Sequence, residues 1–104
     1  MKPTSESNFQ SHTQQGVVLV YFHAAWCSPC QSQEDVLTEI EEEYGESMSV
    51  FSLDVDHCGQ LVHHHGIMSV PTLLLFQEGH VVERIIGLQS KKVLLELITP
   101  FLLE

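Results

Sequence analysis

Apolar positions change their spacing several times along this chain, and each change marks an element. Residues 17–22, VVLVYF, are apolar without a break and rich in β-branched and aromatic types, as expected of a strand buried on both faces. From residue 28 to 44 the spacing becomes three and four: Val36, Leu37, Ile40 and Tyr44 form one helical stripe, while Glu34, Asp35, Glu39, Glu41, Glu42 and Glu43 cover the other faces. Gly45 suits the stop. SVFSLDV, 49–55, predicts a second strand, and HCGQLVHHHG, 57–66, a short helix closed by Gly66. TLLLF, 72–76, predicts a third strand. QEGH then has turn chemistry, with Gly79 able to take a positive φ, and VVERII, 81–86, returns as a fourth strand. Ser90 can cap a last helix running to about Ile98, with Val93, Leu94, Leu97 and Ile98 inward, and Pro100 should end or kink it. Residues 5–15 are polar around one anchor, Phe9, and read as a short helix or a coil.

This order defines an α/β fold. The first two strands joined by a helix form a βαβ unit, which requires a parallel pair; the last two form an antiparallel hairpin followed by a helix. One mixed sheet flanked by helices is expected, as a single domain over 1–104, because no repeat or linker interrupts the pattern.

Composition narrows the functional classes. Hydrophobic residues make up 43% of the 104, enough for a core without extra staples. No run approaches the roughly 20 apolar residues that span a bilayer. The start, MKPTSESNFQSHTQQ, has no apolar h-region, so a cytoplasmic location is expected, although a removed leader would leave the same chain. Lys and Arg number 4 against 14 Asp and Glu, a net charge of −10. Charge of that sign repels phosphate backbones and anionic lipid, so neither nucleic acid nor membrane is expected as a partner. It serves solubility, and a monomer is expected.

Candidate chemistry sits where the first apolar run stops. Cys27 and Cys30 enclose Ser28 and Pro29, with Trp26 in front, at the turn from strand to helix. A thiol at a helix N-terminus faces free N–H groups and the positive end of the dipole, and both favour thiolate. Cys27 is then a nucleophile near neutral pH, and Cys30, one turn on, can attack a mixed disulfide formed there. Pro29 fits the first helical turn, where its missing N–H costs nothing. The pair can cycle between dithiol and disulfide without large backbone movement. Two other readings stand beside this one: half of a zinc site, which Cys58 does not complete with a second pair, and two inert buried cysteines. An odd count of 3 cysteines fits one redox pair plus a free thiol better than a secreted disulfide framework.

WCSPC after VVLVYFHAA resembles the thioredoxin family, whose usual active site reads Trp-Cys-Gly-Pro-Cys. LDVD at 53–56, HGIMSVPTLLLFQEG at 65–79, and Gly87 after the last strand extend the resemblance over roughly residues 9–103. It implies the thioredoxin fold, which usually has a strand before the first helix; there is little room for one here, so a short or missing first strand is expected. It implies thiol–disulfide exchange on protein disulfides, no bound cofactor beyond a redox-active Cys27–Cys30 disulfide, and a thioredoxin-reductase-like electron donor. Cys27 becomes the attacking thiolate and Cys30 the resolving thiol, with Trp26, Ser28 and Pro29 around them. Pro71 becomes a cis-proline facing the disulfide, Val70 pairs its backbone with an extended substrate, and Gly87 leaves room for that backbone. Without the resemblance, Val70-Pro71 is only a strand-start proline.

The chain departs from the family pattern at Ser28, where glycine is common, and at His23, where an aromatic is frequent. Tyr21 and Ser52 stand where many members have a buried aspartate and its lysine partner, and Gln31 where a basic residue is frequent. His23 and Tyr21 are therefore candidates for tuning the thiols; for His23, a ring that only packs is the competing reading. His63 to His65 lack convergent helical spacing, so no metal is expected and solvated histidines are. Cys58 reads as a small, partly buried apolar residue, with an oxidation-sensitive or intermolecular thiol as the other reading. The function expected is a dithiol–disulfide oxidoreductase reducing protein disulfides. The alternatives are a disulfide oxidant or isomerase, and a redox-switched binding module whose groove is formed by Trp26, Met68 to Pro71, and Gly87.

Overall fold

A computed structural model describes residues 1–102. The strands are β1 (Lys2–Pro3), β2 (Val17–His23), β3 (Ser49–Asp54), β4 (Thr72–Gln77) and β5 (His80–Ile86); the helices are α1 (Phe9–Thr13), α2 (Ser28–Tyr44), α3 (Gly59–His64) and α4 (Lys91–Leu102). The expected end of the domain at residue 104 lies outside the described residues. The five strands form one mixed sheet in the order β1-β3-β2-β4-β5. β3 runs parallel to β1 and β2, and β4 runs antiparallel to β2 and β5.

The side-chain period of two explains why VVLVYF carries no polar alternation. Leu19 and Tyr21 point to one face, where they pack with Leu37 and Ile40 of α2 and Leu94 and Ile98 of α4. Val18, Val20 and Phe22 point to the other, against Phe9 of α1, Cys58, and Leu61 and Val62 of α3. Each such side chain, fully buried, contributes about 1.5–3 kcal/mol. β2 is therefore the shared wall of two cores.

The first strand exists and is short. Lys2 and Pro3 pair with Phe51 and Ser52, and the Thr4 N–H donates to the Ser52 carbonyl at 2.8 Å. Gly66, at φ +63, closes α3 as expected: its N–H donates to the His63 carbonyl and the Ile67 N–H to the Val62 carbonyl, which satisfies the last turn. Glu78 (φ +49) and Gly79 (φ +86) make the two-residue hairpin turn between β4 and β5.

The last helix differs from expectation. Ser90 Oγ accepts the Val93 N–H at 3.2 Å and caps it, but α4 continues through Pro100 to Leu102 instead of ending near Ile98. Proline removes one backbone bond close to the helix end, and Phe101 and Leu102 still gain contact with the α2–α4 core. In α2 the buried residues are Cys30, Gln33, Leu37 and Ile40; Val36 and Tyr44 pack half-buried against the same core, as expected, and Gln33 is the buried polar residue that the stripe did not include.

Candidate active site

Strand register gathers the site at one edge of the sheet. His23 pairs with Asp54, Phe22 with Thr72, and Thr72 with Ile86. The segments leaving β2, β3 and β5 therefore meet the segment entering β4. They carry residues 24–27, 55–56, 87–89 and 70–71.

Cys27 is the N-cap of α2, with extended φ −87 and ψ 105, and α2 has no acidic residue in its first turn. The positive end of the helix dipole is thus left uncompensated beside this sulfur. The Cys27 N–H donates to the Ala24 carbonyl at 3.1 Å, which closes the turn out of β2. Cys27 and Cys30 form a disulfide with their Cα atoms 5.4 Å apart. Cys27 is 9% exposed and Cys30 4%. Ser28 and Pro29 lie on the surface between them.

Around the disulfide the structure brings together the other expected residues. Trp26 is 69% exposed, and its Nε1–H donates to Asp56 Oδ2 at 3.0 Å. The Val70–Pro71 peptide bond is cis. The Gly87 N–H donates to the Pro71 carbonyl at 2.9 Å, which ties these two segments edge to edge. Gly87 has φ +85, a conformation that favours glycine, and a Cβ built on it meets no atom within 4 Å. The space beside it is open.

Tyr21 lies fully buried beneath the first turn of α2. Its hydroxyl donates to the Cys30 carbonyl at 2.8 Å and lies 3.5 Å from Glu34 Oε2. Burial, then the charge and hydrogen bond of Glu34, push the phenol well above its usual range, so at neutral pH it donates. His23 stacks on Tyr21 with ring centroids 5.0 Å apart. It also lines an open cavity of about 610 Å³ with Thr4, Ser52, Asp54, His57 and Cys58.

Three contributors escaped the sequence reading. Asp56 holds Trp26. Glu34, counted there among solvent-facing acids, reaches the Tyr21 hydroxyl. Gln33, fully buried, accepts the Gln89 N–H on Oε1 at 2.9 Å and donates from Nε2 to the Gln89 carbonyl at 3.2 Å. Its signal was present: a polar residue one turn after Cys30 and one turn before Leu37, on the inner stripe.

Away from the site, His63 and His64 are exposed as expected, but His65 is half-buried against Phe9 and Phe76, at 5.3 and 5.9 Å between ring centroids. Gly66 turns the chain just after it and Arg84 binds its carbonyl, so the ring falls among the aromatics of the second core. Cys58 is buried in the same core. Among the described residues, no group of three or more His, Cys, Asp and Glu side chains is placed to hold a metal ion. No helix among them is long and apolar enough to cross a membrane.

Comparison with known proteins places this geometry. The Thioredoxin family model matches residues 1–100. Thioredoxin from Listeria monocytogenes is 41% identical over 101 residues, covering 97% of this chain and 98% of its own length. Thioredoxin from Bacillus subtilis is 39% identical over 102 residues, covering 98% and 97%. Among solved structures, a mutant thioredoxin from Halobacterium salinarum superposes with a TM-score of 0.89 at 34% identity, over 97% of this chain and 88% of that one. With a C-x-x-C disulfide at the mouth of a helix, a mixed five-stranded sheet behind it and relatives matched along nearly their whole length, the chain belongs to the thioredoxin family and is a thiol–disulfide oxidoreductase.

Proposed function

We propose that this chain reduces disulfides in extended segments of protein substrates, with Cys27 as the attacking thiolate and Cys30 as the resolving thiol. The observation that carries the assignment is the place of Cys27, at the N-cap of a 17-residue helix and the more exposed of the pair. The Cys27 thiolate attacks one sulfur of the substrate disulfide, and the other substrate sulfur leaves as a thiolate. Cys30 then gives up its proton and attacks the Cys27 sulfur, the second substrate sulfur leaves, and the chain keeps the Cys27–Cys30 disulfide. Two electrons have passed to the substrate, and a thioredoxin-reductase-like donor returns them.

Trp26 and Met68, 69% and 95% exposed, supply apolar walls for the substrate. Val70 offers its backbone beside Pro71, and the open space at Gly87 admits the substrate main chain. Ser28 and Pro29 form the exposed rim. Tyr21 acts from beneath on the first turn of α2, and His23 acts through the ring it stacks on Tyr21. The protein works as a single-domain monomer in the cytoplasm, without a bound cofactor and without nucleic-acid or membrane partners.

Alkylation of the reduced protein at about pH 7 tests the assignment, because rate follows thiolate fraction and access. Cys27 should react much faster than Cys30. Cys30→Ser should trap a mixed disulfide with a protein substrate, and Cys27→Ser should not. Equal alkylation of both thiols, or trapping by the Cys27→Ser variant, overturns it.

A further inference from the structure

The buried stripe of α2 contains one polar side chain, Gln33. A fully buried amide needs partners for both its polar atoms, and an apolar side chain of similar volume would fill the same place without them. Gln33 finds both partners on the backbone of a single residue, Gln89, which lies two residues beyond Gly87. On its other side Gly87 donates its N–H to the Pro71 carbonyl. Hydrogen bonds therefore tie Pro71 to Gly87 and Gln89 to Gln33, the main chain through Leu88 joins the two ties, and the run ends one helical turn from Cys30. All three segments assigned above to the substrate (the cis-proline approach, the Gly87 loop and the thiol helix) belong to this run.

We propose that Gln33 is a positioning residue for protein substrates. It fixes residues 87–89 against the first turns of α2, so that the backbone beside Gly87 stands at a set distance from the Cys27 sulfur. The inference rests on the substrate groove proposed above. It predicts a split between substrates: a protein disulfide must lay its main chain along the groove, whereas a small aromatic disulfide needs only to reach Cys27.

Gln33→Met keeps volume and removes both bonds. The measurement is kcat/KM with insulin as the protein disulfide and with 5,5′-dithiobis(2-nitrobenzoate) as the small one, together with amide hydrogen exchange at residues 87–89. Efficiency on insulin should fall about five- to a hundredfold relative to the small disulfide, the range that two neutral hydrogen bonds carry together. The loss should appear in KM, and the Gln89 amide should exchange faster. Gly87→Ala, which fills the open space at the further cost of an unfavourable positive φ, should raise the insulin KM relative to that for the small disulfide. If Gly87→Ala leaves that ratio unchanged, the groove reading falls and this inference with it. If Gly87→Ala raises it and Gln33→Met changes both substrates equally, the role of Gln33 alone is overturned. Should Gln33→Met fail to fold, exchange in the wild-type protein decides: a Gln89 amide as fast as an open loop amide overturns the clamp, and a protected one supports it.

Discussion

Replacing Tyr21 by aspartate sets a carboxylate beneath Cys30 where a phenol now stands. Removing a fully buried aromatic ring costs about 3–5 kcal/mol in the Phe→Ala range, of which aspartate's own volume recovers part. Losing the 2.8 Å bond to the Cys30 carbonyl adds about 1 kcal/mol. The new carboxylate also faces Glu34, a like charge, in a poorly solvated place, which raises its pKa. A total of about 4 kcal/mol is a large share of the 5–15 kcal/mol expected for a domain, and with an m-value of about 2 kcal/mol per molar it lowers the urea midpoint by about 2 M. Tyr21→Asn loses similar volume without the charge, so the Asp–Asn difference isolates the carboxylate. The chemical effect runs the other way. Cys30 must lose a proton before it attacks, and Tyr21, with its pKa pushed up, is no acceptor at neutral pH. A positioned base contributes about 10²–10⁴-fold, so even a poorly placed carboxylate should speed release of substrate from Cys27 by about tenfold. Single-turnover kinetics from a preformed mixed disulfide read that step. If Tyr21→Asp is destabilised with no gain in release, Cys30 already has an acceptor. Glu34 is then the group to test, and Glu34→Gln in the native background should slow release.

Two further outcomes are expected. Burial, then the charges of His64 and Arg84, hold the His65 imidazole below its usual range. The unfolded chain therefore binds this proton first as pH falls through about 6.5, and the stability present above that value is lost as pH drops towards the folded pKa. The urea midpoint should fall between about pH 7.5 and pH 5, and His65→Phe should flatten the change; an identical pH dependence in the variant refutes the cause. Burial, then Glu6 and Asp54, push the Cys58 thiol up, so with the Cys27–Cys30 disulfide intact a thiol reagent at about pH 8 should find no fast-reacting group until denaturant is added. A rapid reaction in the folded protein contradicts this.

The parts of the molecule legible in the sequence are those fixed by local pattern. β2 announced itself because a strand buried on both faces needs no polar alternation, and the thiol pair because helix N-termini select for such chemistry at a strand-to-helix turn. The cis bond at Val70–Pro71 came only through family resemblance, since nothing local distinguishes it from any strand-start proline. Gln33 was hidden because its partners are backbone groups 56 residues away. The end of α4 was misjudged for a related reason: the local cost of Pro100 is outweighed by contacts of Phe101 and Leu102 with distant parts of the chain. His65 looked like its neighbours, and only the turn at Gly66 sends its ring inward.

The division of β2 between two cores makes the sheet a partition. Tyr21, Gln33 and both redox sulfurs lie on the α2–α4 side, whereas Cys58 and the ring of His65 lie on the side of α1 and α3. Acid or oxidant acting on those two groups loosens the far compartment first. News of the damage crosses through the sheet, whose four strand pairings hold it in register, and through Val55, which packs against both cores. Wear and work are thus assigned to opposite rooms, and a molecule with a frayed α1–α3 side can keep its sulfurs aligned.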